Sequence, residues 1–295
     1  MPVSMMKIVV LLMLLSSLES RASDTLARIS ERKTIVIAHR ESSMPFSYLD
    51  DKKHPIGYAM DICEKIVEAV RRELKLTHLD VQYVLVTPAN RMQMIADGKA
   101  DLECGSTTNT KERRKQVDFS ISYFIAGARM LVRTDSGIKN WSDLRDKRVV
   151  TTKGTTNAQT LIDRDKIRSL NITLLESKDH AAAFAMVERK EADVFAMDDV
   201  LLNGLRAAAK NPADFVVVGD SLSAEPYAIL LARQDPDFKH LIDREVSRIM
   251  LDGEIYAMYK KWFASPIFPN GINLNMPMSH LLRASIRVPS DKVAD

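Results

Sequence analysis

One order of events occurs twice along this chain, and few architectures accommodate it. A helical stretch ends, an Ala-Asp pair enters a strand, and the strand delivers a polar loop. Ala100-Asp101-Leu102-Glu103 runs into Gly105-Ser106, and Ala192-Asp193-Val194-Phe195-Ala196 runs into Met197-Asp198-Asp199. Strands and helices alternate around both copies. In the first, a β-branched strand at 33–38 leads to a loop with His39, Arg40, Ser42 and Ser43 and an aromatic segment, Phe46-Ser47-Tyr48. Ile62, Ile66, Val67, Val70 and Leu74 then fall at helical spacing over 61–74, followed by a strand at 81–86, a turn at 87–90 and a short helix at 91–96 stopped by Gly98. The second copy offers a short helix at 141–144, a strand at 148–152, a Gly/Thr loop at 153–157 opening a helix, and a helix from His180 to about Arg189. Such alternation specifies an α/β protein built from two Rossmann-like lobes, with functional loops at the strand ends.

Length agrees, since a single core stops growing near ~250 residues. Two extended stretches, 123–132 and 215–221, are expected to cross between the lobes as a hinge. The domains then read as a leader at 1–22, one discontinuous lobe at 23–126 with 222–295, and a second lobe at 127–221. The leader is read from Lys7, the apolar run 8–15 and the small residues of Ser20-Arg21-Ala22, and implies export as a soluble, periplasmic product. Residues 266–289, rich in proline and asparagine, are expected to wrap the surface.

Composition excludes several classes. With 42 basic and 39 acidic residues, a net charge of +3 and no long basic block, nucleic acid is not an expected partner. The six histidines lack a paired spacing, so no metal site is indicated, and no cofactor is expected. Cys63 and Cys104 could pair in an oxidising compartment or stay as two buried thiols.

The segment from Glu103 to Arg114 concentrates hydroxyls, backbone NH groups and a guanidinium. Asn109 and Glu112 are spaced as a capping box, which predicts a helix from Lys111 with its positive end towards the Ser/Thr loop. That corner suits a carboxylate. Arg40, Arg91, Arg113 and His180 all follow strand ends or open helices. A guanidinium fork matches a carboxylate, at roughly 1.5 to 3 kcal/mol per charge-assisted bond where water is excluded. A dicarboxylate needs two such corners, and an ammonium group needs acceptors such as Asp198 and Ser106. As a plain structural residue Asp198 would be a helix cap, a role for which Asp199 is better placed.

Taken together, Glu103 to Asn109 with Glu112-Arg113, the segment from His39 to Tyr48, Gly154-Thr155-Thr156, Lys178-Asp179-His180 and Met197-Asp198-Asp199 resemble the acidic amino-acid receptors of solute-binding protein family 3. Members of that family deliver amino acids to ABC transporters. The resemblance spans nearly the whole mature chain in order. It implies the two-lobed periplasmic binding protein type II fold, lobes joined by two crossover strands, a ligand clamped at the hinge, an inner-membrane permease as partner and a monomeric receptor. It further implies that Arg113, Thr108, Thr155 and Thr156 hold the α-carboxylate of L-glutamate or L-aspartate, that Asp198 and Ser106 accept the ammonium, and that Arg40, Arg91 and His180 surround the distal carboxylate. Pro88 departs from the pattern, where relatives commonly carry a serine, and Lys153 stands where a small polar residue is expected. Two other classes are compatible with such a fold. One is a periplasmic cyclohexadienyl dehydratase, which would need Glu41 or Glu103 as an acid; the other is an amino-acid sensor that does not transport.

Overall fold

The computed structural model describes residues 24–293; the expected leader lies outside them. Two five-stranded sheets organise the chain, and the parallel strands of each follow the same order. In the first, strands 80–85, 34–39 and 102–104 run parallel in that spatial order, followed by the antiparallel strand 230–231 and then 118–119. In the second, 173–177, 148–152 and 194–198 run parallel, followed by 128–133 and 215–218. Among the three parallel strands of each sheet, the first in the chain therefore lies between the second and third, so each sheet has a topological switch point where loops diverge and leave a crevice.

The repeated Ala-Asp pair has a physical meaning in this frame. Asp101 lies just before the third strand of its sheet, and its carboxylate accepts from the backbone NH of Val36 (2.7 Å) while its own NH donates to the Val36 carbonyl (2.8 Å). Asp193 does the same to Arg148, at 2.9 Å for both bonds. In each sheet an aspartate thus pins the third strand to the first.

Nine helices flank the sheets among the described residues: α1 Thr25–Arg32, α2 Tyr58–Glu73, α3 Arg91–Ala96, α4 Thr156–Arg168, α5 His180–Glu188, α6 Asp199–Ala208, α7 Pro236–Leu251, α8 Glu254–Phe263 and α9 His280–Arg287. None is long and apolar enough to cross a membrane. The apolar spacing read over 61–74 becomes the buried face of α2, with Ile62, Ile66 and Val70 fully enclosed. Cys63 of α2 is disulfide-bonded to Cys104 at the end of strand 102–104, which settles the open choice between a bridge and two thiols.

Between the sheets runs an antiparallel ribbon of residues 124–126 and 225–227. The expected crossover at 215–221 differs here: Phe215–Val218 pairs with strand 128–133 as an edge of the second sheet, and its run of β-branched residues finds its partner there. The proline- and asparagine-rich tail also differs from a simple wrap. Within it α9 is capped by Ser279 and buries Leu282 and Ile286, and beyond it Asp291 pairs with Arg114 and Lys239.

Candidate functional site

All nine residues singled out in the sequence follow the carboxyl ends of the six parallel strands. Strand 34–39 delivers Arg40, strand 80–85 leads through a turn to Arg91 at the start of α3, and strand 102–104 leads to Ser106, Thr108 and Arg113. In the second sheet, strand 148–152 leads to Thr155 and Thr156, strand 173–177 to His180 at the start of α5, and strand 194–198 ends on Asp198. One cavity between the sheets is lined by Arg91, Ser106, Thr108, Arg113, Thr155, Thr156, His180 and Asp198, joined by Met197. Arg40 stands outside that lining. It is packed behind His180, with Nη2 3.5 Å from the imidazole Nε2.

The predicted helix at Lys111 does not form. Residues 111–112 are a turn, and only a single 3₁₀ turn, Arg113–Lys115, follows. Asn109 cannot cap because its groups are used elsewhere: its amide Nδ2 donates to the Asp291 carbonyl (3.0 Å) and its Oδ1 accepts from Arg114 (2.8 Å). Besides the starts of α3 at Arg91 and α5 at His180, the cavity meets the positive end of α4. Its N-cap is Thr155, whose hydroxyl turns away to the Thr152 carbonyl (2.7 Å), so the first-turn NH groups keep no side-chain cap.

Arg113 is held from both sides of the cleft, donating to the Thr108 carbonyl (2.9 Å) and, across the gap, to the Gly154 carbonyl (3.1 Å). Burial, with a contribution from Arg91, pushes its pKa down to about 9. Asp198 accepts from Asn157 Nδ2 (2.8 Å) and from the Tyr227 hydroxyl. Its pKa is pushed up to about 7, first by burial and then by the negative charge of Glu225. Ser106 Oγ is buried and has no hydrogen-bond partner in the protein.

At the other end Arg40 and Arg91 are 1% and 2% exposed, and neither makes an ion pair to a carboxylate among the described residues. Arg40 Nη1 and Arg91 Nε have no partner. Burial, then the neighbouring Arg91, pushes Arg40 down to about 9, while burial alone is the main cause lowering Arg91. His180 is held neutral by burial and by both arginines. Its tautomer follows from its neighbours: a guanidinium has only donors, so Nε2 accepts from Arg40 and Nδ1 carries the proton towards Thr152 Oγ1 (2.8 Å). Two buried guanidiniums, Arg91 and Arg113, therefore line the cavity with a third, Arg40, behind His180, and a carboxylate arriving from outside would satisfy a donor that the protein leaves unpaired on Arg91.

Residues 35–265 match the family described as bacterial extracellular solute-binding proteins, family 3. The chain belongs to that family. It is 44% identical over 272 residues to the L-glutamate/L-aspartate-binding protein of Pseudomonas aeruginosa, covering 92% of this chain and 90% of that one. It is 40% identical over 271 residues to the glutamate/aspartate import solute-binding protein of Escherichia coli K12, with the same coverage of 92% and 90%. Among solved structures it resembles an ancestral arginine-binding protein bound to arginine, at TM-score 0.71 and 25% identity, covering 79% of this chain and 99% of that one. The solute receptor for L-cysteine of Neisseria gonorrhoeae gives TM-score 0.71 and 25% identity over 80% of this chain and 92% of that one.

This family 3 protein is thus a two-lobed binding protein and not an enzyme. Neither acid weighed for a dehydratase lines the cavity. Glu41 is exposed and outside the cavity lining, and Glu103 is buried with one oxygen engaged by the Thr107 hydroxyl (2.7 Å). Sequence reasoning missed Met197 in the lining, Asn157 and Tyr227 on Asp198, and Thr152 on His180. Asn157 was within reach of the motif, since it closes the Gly-Thr-Thr loop; Tyr227 lies 29 residues beyond Asp198 and carries no local signal.

Proposed function

We propose that the protein is the periplasmic receptor of an ABC importer, closing two lobes on L-glutamate or L-aspartate and presenting the closed form to an inner-membrane permease. The observation that carries this reading is the pair Arg40 and Arg91, two buried guanidiniums beside His180 with NH groups unpaired in the protein. Amino acids with neutral side chains would leave that end uncompensated. Arg113, Thr108, Thr155 and Thr156 form the corner for the α-carboxylate, and Asp198 with Ser106 takes the ammonium. The lobes comprise 23–126 with 222–295, and 127–221; they swing about the ribbon. The names of the Pseudomonas and Escherichia relatives support the same ligands, and a disulfide supports an oxidising compartment reached after loss of residues 1–22. The receptor acts as a monomer and needs no cofactor.

Titration calorimetry with glutamate, aspartate, glutamine and arginine tests the reading. An amide in place of the distal carboxylate leaves buried charge unpaired, which costs roughly 2 to 5 kcal/mol, or about thirtyfold to a few thousandfold in affinity. Glutamine binding as tightly as glutamate would overturn it.

A further inference from the structure

Asp198 receives its second hydrogen bond from an unexpected place. Tyr227 belongs to neither sheet; it ends one strand of the ribbon, pairing with Phe124 on the other. Its opposite backbone edge is bridged to Thr108, and the next residue, Ala228, donates its NH to the Thr107 carbonyl (3.1 Å). The ring is fixed as well, stacked on Phe124 with centroids 5.9 Å apart and edge-on to Phe46 at 5.0 Å. From that mount the hydroxyl reaches the carboxylate of Asp198, which stands at the end of a strand in the second sheet.

We propose that Tyr227 is a positioning residue for ligand binding: its hydroxyl aims the Asp198 carboxylate at the ligand ammonium and favours its charged form, tying the ammonium acceptor of one lobe to the ribbon and to the carboxylate loop of the other. This rests on the reading that Asp198 receives the ammonium of an amino acid. Against the ionised carboxylate the phenol is the donor, because that form can only accept. A phenol donating to it stabilises the charged form, against burial and against Glu225 from the same ribbon strand. Asp199 of α6 adds to that opposition, while Asn157 of α4 and the charges of Arg91 and Arg113 work with the phenol. The bond thus joins the loop after strand 102–104 to the end of strand 194–198, so opening of the cleft would break it.

The test is calorimetry of glutamate binding from pH 6 to pH 9.5 on the full chain, as wild type, as Tyr227→Phe and with 3-fluorotyrosine at position 227. Removing the phenol should weaken binding about tenfold or more at pH 7, as expected for loss of a hydrogen bond to a charged group. Most of that loss should disappear near pH 9, because Asp198 then ionises without help. The more acidic fluorophenol is a stronger donor and retains the ring, so it should move the acidic limb of the affinity profile to lower pH. No loss in Tyr227→Phe, or an equal loss at every pH with no movement of the limb by the fluorophenol, would overturn the proposal. Failure of the wild type to bind any amino acid would instead sink the functional reading.

Discussion

Gly204 offers a perturbation whose two effects have opposite signs. It lies inside α6, on the second sheet, and faces the backbone of the loop after the first strand: a Cβ at this position would stand 2.7 Å from the Met44 carbonyl oxygen and 3.3 Å from its carbon. Its φ is not in the left-handed region, so Gly204→Ala brings no backbone strain. In a helix interior the change should stabilise the protein by roughly 0.5 to 1 kcal/mol. Across the cleft it must do the reverse, because a methyl cannot sit 2.7 Å from a backbone oxygen and the two faces must separate by several tenths of an ångström. Overpacking of that kind costs about 1 to 3 kcal/mol. If the contact exists only when the lobes are shut, the cost falls on the closed form alone and appears as a loss in glutamate affinity of about fivefold to about 150-fold. Calorimetry and ligand-free thermal unfolding on the same variant read the two signs separately. Unchanged affinity, or an affinity loss accompanied by a lower ligand-free Tm, would refute the idea that this is a closure contact and not ordinary core packing.

Other expectations bear on the ends of the ligand and on the frame. Arg113→Ala should abolish binding of any amino acid, since it removes both a carboxylate donor and the cross-cleft bond to Gly154, whereas Arg91→Ala should weaken acidic ligands selectively; equal losses for acidic and neutral ligands in both variants would show that the ends are misassigned. Because the Asp198 pKa is raised to about 7, above the ordinary carboxylate value of about 3.9, its contribution to ligand-free stability is complete below about pH 4 and is lost as pH rises through about 7. A ligand ammonium compensates the ionised form, so the Tm increase given by saturating glutamate should grow between pH 5 and pH 8, and a flat profile in differential scanning calorimetry would count against Asp198 as the acceptor. Replacing Cys63 and Cys104 by alanine removes a bridge between residues 41 apart. The loop-entropy relation then gives a loss of about 4 kcal/mol in urea unfolding, and a loss below about 1 kcal/mol would show that the bridge does not constrain the unfolded chain.

What could be read from the sequence, and what could not, follows the range of the interactions involved. The Ala-Asp echo was legible because each aspartate bonds backbone that every α/β sheet of this order must present, Val36 in one and Arg148 in the other; a shared topological need left a shared residue. The strand-end positions of Arg40, Arg91, Arg113, His180 and Asp198 were legible for the same reason, as switch-point chemistry depends only on strand order. Asn109 misled because its apparent partner was three residues away and its true one, Asp291, lies near the other end of the chain. A capping box is a local bargain, and a long-range hydrogen bond to the tail displaced it. Tyr227 had no counterpart to echo, since among the described residues the ribbon occurs once. The parts unique to one copy are those that break the symmetry between the sheets: the parallel strands of both follow one order, whereas the ribbon of 124–126 and 225–227 joins neither five-stranded sheet.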